Sequence, residues 1–338
     1  MGDYLLEDIL MEKNNDYFRY YEGMKNVVQD NYLNDIRILY PWYTDHGIKH
    51  SMAIIDTLCD MIAPNNESID LRNEFYRQGD LPMALSIEDI YILLCAALWH
   101  DVGMLVDRDD HGRHLIKFAT EIQRYVKDQK VTQCIYDVAC AHGSNKKFDD
   151  CVNFVPLNFY GKHVDVSKKT LAALLRIADE ISEDQNRITK TQEVFDAIPT
   201  ENRVFWEHAA SISYSRYRNH KINLVYSVDI DKVFKKYSCP DGKKITLYRF
   251  IIQRVCKIIN EMIMCAPLFS SICRIDALHL TIQFQRQRNW ICEEVVKEFS
   301  EDIRPFLVAE SNREQQVKAF FKKYDGFEEK RIKQLLGV

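Results

Sequence analysis

The residues able to do chemistry crowd one stretch of this chain. Six of its ten histidines fall between positions 46 and 142. "TDHGIKHS" supplies His46 and His50, four apart and so on one face if the segment is helical. In "LLCAALWHDVGM" an apolar run from Leu93 to Trp99 stops abruptly at His100 and Asp101. "DDHGRH" adds His111 and His114, "CAHGS" adds His142, and "LRIADE" adds Asp179. Neutral imidazoles with ionised carboxylates are the donor set of a divalent metal, and donors this scattered must be brought together by several helices. Adjacent His100 and Asp101 cannot share one face in mid-helix. Both can reach one point where a helix is ending, and Gly103 is expected to let the chain turn away there.

The elements that must position these groups can be read from periodicity. Most of residues 1–190 reads as helix. "SIEDIYILLCAALWH" opens on Ser86 as an N-cap with Asp89 three residues on, a variant of the capping box, and continues as a buried run. "SKKTLAALLRIADEIS" places Leu171, Leu174, Leu175 and Ala178 at 3–4 spacing behind Ser167. "HLIKFATEIQRYV" and "TQCIYDVACAH" also read as helices. Residues 64–85 break the pattern with Pro64, Asn65, Asn66, Gly79 and Pro82, and are expected to form a long loop or insertion.

The character changes near residue 200. Residues 208–230 alternate around a central "RNHK", the pattern of a β-hairpin. A long helix ending at Pro267 follows, then the alternating "DALHLTIQFQ", then two helices expected around 287–300 and 313–336. The fold class expected is mainly α, a helical bundle with a smaller α+β C-terminal domain. Residues 1–200 form the helical domain and 201–338 the C-terminal one, with its basic hairpin and helices.

Composition narrows the partners. The net charge is −5, so nucleic-acid binding would need a local patch. Arg216–Lys257 offers one, with eleven Lys or Arg against three Asp. Tyrosines in and beside it, Tyr217 and Tyr214 among them, can stack bases but more often pack along a strand. The longest apolar run, Tyr91 to Trp99, is far short of the roughly 20 residues a membrane span needs. The acidic start "MGDYLLEDILMEKNNDYF" lacks a basic segment leading into an apolar one, so no secretory signal is expected. Ten scattered cysteines without a C-x-x-C read as core thiols in a reducing, cytoplasmic setting.

In this order the pieces resemble the HD-domain superfamily of metal-dependent phosphohydrolases. That signature is a His, a His-Asp doublet ending a buried helix, and a distant Asp on a later helix. His50 matches the first ligand, with "HSMAII" continuing in the family's small and apolar pattern. His100 and Asp101 match the doublet, and Asp179 in "LLRIADEIS" matches the last ligand. The resemblance covers roughly residues 40–190 and implies a helical HD-domain bundle. "YTDHGIKHS", with its extra His46, looks similar to HD domains related to the nuclease domain of the CRISPR interference helicase, which also occur in bacterial defence proteins.

The resemblance implies one or two divalent ions, drawn from Mn, Fe, Co, Ni, Zn or Mg, with Mg less at home among imidazoles. His114 and His142 sit where two-metal members carry extra histidines, although Gly143 replaces the second member of their usual His-His pair. Asp101 is the expected catalytic carboxylate, bridging two ions or orienting water beside one. His46, His111 or a lysine would protonate the leaving oxygen. Lys117 and Arg113, with Arg108, Lys146 and Lys147, are candidates to clamp phosphates. Glu180 is expected to face solvent or pair with an arginine.

The activity implied is hydrolysis of a phosphate ester or anhydride in a nucleotide, such as a deoxynucleoside triphosphate or a signalling nucleotide. The alternatives are a metal-dependent nuclease on single-stranded nucleic acid, for instance within a bacterial defence system, and a non-catalytic nucleotide-sensing module. The partners are thus a nucleotide or nucleic-acid strand and no membrane. A homo-oligomer and a defence-system partner protein stay open, as does the role of the C-terminal domain.

Overall fold

The computed structural model describes residues 5–42, 44, 46–63, 77–78, 81–108, 110–183, 188, 192–288, 292–305 and 313–338. The expected loop at 64–85 lies mostly outside them. The chain is mainly helical and divides into two compact units. The first comprises 1–41, 45–182 and 264–275, and the second 42–44, 183–263 and 276–338. The chain therefore changes unit after Ser182, where the sequence placed the change near 200, and residues 264–275 return to the first unit.

The first unit begins with α1 (Leu5–Lys13), α2 (Asn15–Val28), α3 (Asn34–Leu39) and α4 (Ile48–Ile62). Short strands β1 (Arg77–Gln78) and β2 (Leu81–Pro82) precede α5 (Ile87–Trp99). Then come α6 (His111–His114), α7 (Ala119–Val126), α8 (Gln129–Ala141) and α9 (Asn145–Asp150). A hairpin of β3 (Val155–Phe159) and β4 (Lys162–Val166) leads into α10 (Lys168–Ile181). That hairpin interrupts a stretch that reads as helix in sequence. Its turn is Tyr160-Gly161, both at positive φ, and the glycine meets that geometry without a Cβ penalty.

Helix α5 is the central post. Every residue from Ile90 to Trp99 is fully buried, because α1, α2, α4, α8 and α10 all pack against it. Burial on all sides explains why it has no polar stripe. Each of Leu93, Leu94 and Leu98 contributes about 2 kcal/mol of transfer energy. The expected cap is present: Ser86 Oγ accepts from Asp89 N at 3.1 Å, and Asp89 Oδ2 accepts from Ser86 N at 3.0 Å.

Asp89 does more than cap. Its Oδ1 accepts from Ser167 N at 2.9 Å, tying the start of α10 to the start of α5. Lys168 pairs with Asp137 on α8 at 2.7 Å, and Thr57 on α4 meets Ser182 at the end of α10 at 2.9 Å. These polar ties, buried or partly buried, set the register of four helices against one another, and each has its partner in place.

The second unit carries α11 (Gln192–Ala197), α12 (Arg203–Ser211), β5 (Ile212–Arg218), β6 (Lys221–Asp229), α13 (Ile230–Val233), β7 (Lys236–Ser238) and β8 (Lys244–Thr246). It continues with most of α14 (Leu247–Cys265), then β9 (Ala277–Arg288), β10 (Cys292–Ile303), α15 (Arg313–Lys323) and α16 (Glu329–Leu336). The expected hairpin is β5–β6, turning on Asn219 and His220, both at positive φ as a primed turn requires. Residues 208–211, read as strand, belong to α12.

The four-stranded sheet has the order β10-β9-β6-β5. Strands β6 and β9 are parallel, and the long connection through α14 makes that possible. Ile222, Leu224, Tyr226 and Val228 alternate inward on β6, as Leu278, Leu280, Ile282 and Phe284 do on β9. The helix expected around 287–300 is instead strand β10. It pairs with β9 along its length, around a register shift between Val295 and Lys297. Ladder pairing and the β-branched Val295-Val296 overcome the helix-forming glutamates there.

Candidate metal centre

The histidines and aspartates singled out from sequence converge in the first unit. His50 comes from the first turn of α4, His100 and Asp101 from the end of α5, His142 from the end of α8, and Asp179 from the last turn of α10. His46 lies just before α4 rather than within it, yet its ring packs edge-on against His50 with centroids 5.5 Å apart.

Asp101 is the hub. Its Oδ2 lies 2.9 Å from His46 Nδ1, 3.2 Å from His100 Nε2 and 3.8 Å from His50 Nε2. Its Oδ1 lies 3.6 Å from His111 Nε2 and 4.0 Å from His142 Nε2. Asp179 Oδ1 lies 3.0 Å from His50 Nε2 and 4.0 Å from His100 Nε2. The side chains of His50, His100, Asp101 and His142 are 5% exposed or less, whereas Asp179 is 30%, His46 22% and His111 20% exposed. The cluster is walled by protein on one side and opens to solvent past Asp179, His46 and His111.

Backbone carbonyls fix how the imidazoles face. His100 Nδ1 donates to Ala97 O at 2.9 Å, His111 Nδ1 to Arg108 O at 2.8 Å, and His142 Nδ1 to Ala139 O. A carbonyl only accepts, so each Nδ1 carries a proton, and each Nε2 faces the cluster, where it offers a lone pair to a cation once it is unprotonated. Burial disfavours charge on Asp101 and Asp179, yet the surrounding imidazoles hold both carboxyls well below the usual carboxylate range. His100 is raised to about 9, because Asp101 and Asp179 outweigh its burial. Burial, with His100 and His111 nearby, lowers His142 to about 3, so it is a neutral donor at pH 7.

These residues fit a divalent cation. Among the described residues His100 Nε2 is buried with no hydrogen-bond partner, its 3.2 Å approach to Asp101 being misaligned for one. Such an orphan is costly unless something binds it. His111 and His142 bring two Nε2 lone pairs to 2.9 Å from each other. Two imidazole nitrogens sharing one cation at right angles, about 2.1 Å from each, lie about 3 Å apart. Among the described residues, donor atoms lie close enough for an ion in His46–His50–Asp101, His50–His100–Asp179 and His100–Asp101–His142, and His111 Nε2, His142 Nε2 and Asp101 Oδ1 lie within 4.0 Å of one another.

Gly103 proves necessary for a reason other than the expected one. A Cβ there would lie 1.9 Å from the carbonyl oxygen of His111. The glycine lets the turn after Asp101 press against α6, and that contact delivers His111. Arg176, which sequence reasoning missed, supports His142. It is buried on α10, donates to Ala141 O at 3.0 Å and to Asn145 Oδ1 at 2.9 Å, and lies over the Phe148 ring. It thereby satisfies a carbonyl at the C-terminal end of α8 beside the ligand. A lone charge on the leucine-rich face of "LLRIADE" was the available signal.

Other expected site residues lie elsewhere. His114, three residues beyond His111 on α6, has no hydrogen bond or ion pair to the cluster among the described residues; His111 occupies that role. Arg113 is 80% exposed and pairs with Asp110 at 3.9 Å, and Lys117, Lys146 and Lys147 are exposed. Among the described residues none of the four makes a hydrogen bond or ion pair with the cluster. Glu180 is buried rather than solvent-facing.

A search of the curated proteins and of the solved structures returned no match. The family model HD-CE matches residues 40–237, a span that contains every member of the cluster. With more than half of its length matched, and with the histidines and the His-Asp doublet gathered as described, this chain belongs to the HD-CE family.

Proposed function

We propose that the chain is a metal-dependent phosphohydrolase cleaving a phosphate ester or anhydride of a nucleotide, such as a deoxynucleoside triphosphate or a signalling nucleotide. The observation that supports this best is the two-sided setting of Asp101, with His46, His50 and His100 toward Oδ2 and His111 and His142 toward Oδ1. In this reading His50, His100, Asp179 and Asp101 would hold one ion, and His111, His142 and Asp101 would hold a second. Mn, Fe, Co, Ni or Zn suits such donors better than Mg. Bound divalent ions supply an acidified water and neutralise charge on the attacked phosphate.

The chain's own groups do the rest. The carbonyls of Ala97, Arg108 and Ala139 hold three rings in the donor tautomer before any substrate arrives. The α5 post excludes water from the buried wall. His46, partly exposed and bonded to Asp101 through Nδ1, is the group we assign to protonate the leaving oxygen. The buried thiols of Cys59, Cys95, Cys134 and Cys256 favour a reducing, cytoplasmic setting.

A second reading, cleavage of single-stranded nucleic acid, is favoured by exposed Tyr214, Arg216 and Arg218 on β5 of the second unit. Its resemblance to defence-associated HD domains belongs to the same reading. The test is a panel of nucleotides and oligonucleotides incubated with each metal, beside Asp101→Ala. Turnover that Asp101→Ala abolishes supports the phosphohydrolase. Full activity in that variant overturns it. Steep loss of turnover with salt identifies a strand, and weak salt dependence a mononucleotide.

A further inference from the structure

The second unit carries an unrelated constellation on the open face of its sheet. Strands β9 and β10 place His279 opposite Asp302 and Thr281 opposite Ser300. All four side chains share one face, since Leu278, Leu280 and Ile282 take the other. His279 Nδ1 lies 2.7 Å from Asp302 Oδ1, and Ser300 Oγ lies 3.1 Å from His279 Nε2. Lys221, from neighbouring β6, pairs with the remaining oxygen of Asp302. Thr281 Oγ1 lies 3.0 Å from Ser300 Oγ.

We propose that Ser300, His279 and Asp302 form an activated serine nucleophile that takes up an activated acyl or phosphonyl group, independently of the metal cluster. Each link follows from hydrogen-bond roles. Lys221 and His279 hold the Asp302 carboxyl below its usual range, so it remains an acceptor. The acceptor fixes the proton of His279 on Nδ1, leaving the Nε2 lone pair to receive the Ser300 hydroxyl proton. A nucleophile, a base and a group orienting the base are recognised by geometry and roles rather than by position in sequence. Ser300 is exposed and the His279 side chain is 37% exposed, so a reagent can reach both.

With a fluorophosphonate, the Ser300 Oγ–P bond forms and the P–F bond breaks. Fluoride leaves, and the hydroxyl proton passes to His279 Nε2. With an activated ester, the Oγ–C bond forms, the C–O bond to the alkoxide breaks, and His279 returns the proton to that alkoxide. Cross-strand polar pairing alone accounts for the same contacts without any reactivity, so reactivity is what decides.

The test is labelling of the full chain with a fluorophosphonate, with the adduct located by peptide mass spectrometry and folding checked by circular dichroism. The expected result is one adduct, on Ser300, and none in Ser300→Ala. His279→Ala, and the length-preserving His279→Gln, should slow labelling about 100-fold, the scale of general-base assistance. Asp302→Asn should slow it at least about tenfold. A wild-type rate equal to that of Ser300→Ala, an adduct on another residue in place of Ser300, or undiminished labelling in both His279 variants overturns the proposal.

Discussion

The two sides of Asp101 each bring two imidazoles to an ion, but only the Oδ2 side adds a second carboxylate, Asp179, and they stand on different foundations. Toward Oδ2, His50, His100 and Asp179 stand on α4, α5 and α10, helices of 13 to 15 residues whose ends are joined through Asp89, Thr57 and Ser182. The His50 and His100 side chains there are at most 1% exposed. Toward Oδ1, His111 stands on a four-residue helix and is 20% exposed, and His142 caps α8. The extra Asp179 carboxylate and the firmer foundation both favour the Oδ2 side. With donors and preorganisation acting together, the Oδ2 side should hold its ion more tightly and exchange it more slowly.

The largest effect should come from removing what the two sides share. Asp101→Ala is expected to lower phosphohydrolase turnover by about three orders of magnitude, equivalent to about 4 kcal/mol of barrier, and to strip bound metal from both sides. Turnover assays with elemental analysis read both. Next come the variants that separate the sides. His100→Ala should leave almost no tightly held metal. His111→Ala should retain one ion per chain and lose about 10- to 100-fold in turnover, the scale typical of a disturbed metal shell. If His111→Ala loses all metal, the ranking of the two sides is wrong.

Gly103→Ala probes the weaker side without touching a ligand. The added Cβ must displace the His111 backbone, so weaker binding toward Oδ1 and about 1–3 kcal/mol of lost stability are expected in thermal unfolding. A Gly103→Ala protein with normal metal content would show that the packing contact is not what delivers His111.

Protonation separates the sides further. Without metal, His100 sits near 9 and is protonated at pH 7, whereas His142, near 3, is already neutral. Filling the Oδ2 side should release about one proton per chain at pH 7, and its affinity should rise with pH up to about 9. Calorimetry in buffers of different ionisation enthalpy measures that release. The linkage also acts on the metal-free fold. His142 has a folded pKa below its unfolded value, so its contribution is present above about pH 6.5 and is lost as pH falls toward 3. His100 has the opposite sign, its contribution being present below about 6.5 and lost as pH rises through 9. The smallest effect is expected from His114→Ala, a change in turnover of less than about twofold, since among the described residues that side chain makes no hydrogen bond or ion pair with the cluster.

The same contrast explains what could be read from sequence. His50, the 100–101 doublet and Asp179 each interrupt or end a strongly apolar helix, and such breaks are visible in a periodic pattern. His111 and His114 share one short helix, and choosing between them depends on Gly103 meeting a carbonyl from eight residues later. Long-range backbone contact leaves no trace in local composition, and Arg113 and Lys117 look plausible for the same reason. In the second unit, the hairpin at Asn219-His220 follows from turn chemistry. Strand β10 does not, because "CEEVVKEF" suits a helix until β9 offers it a ladder.

The most direct test of the central claim, that Asp101 stands between two cations, is anomalous diffraction at the manganese edge from crystals grown with Mn²⁺. Two peaks flanking Asp101 are expected, one beside each carboxylate oxygen, with the peak among His50, His100 and Asp179 the more fully occupied. A single peak, or ions bound away from Asp101, would contradict it.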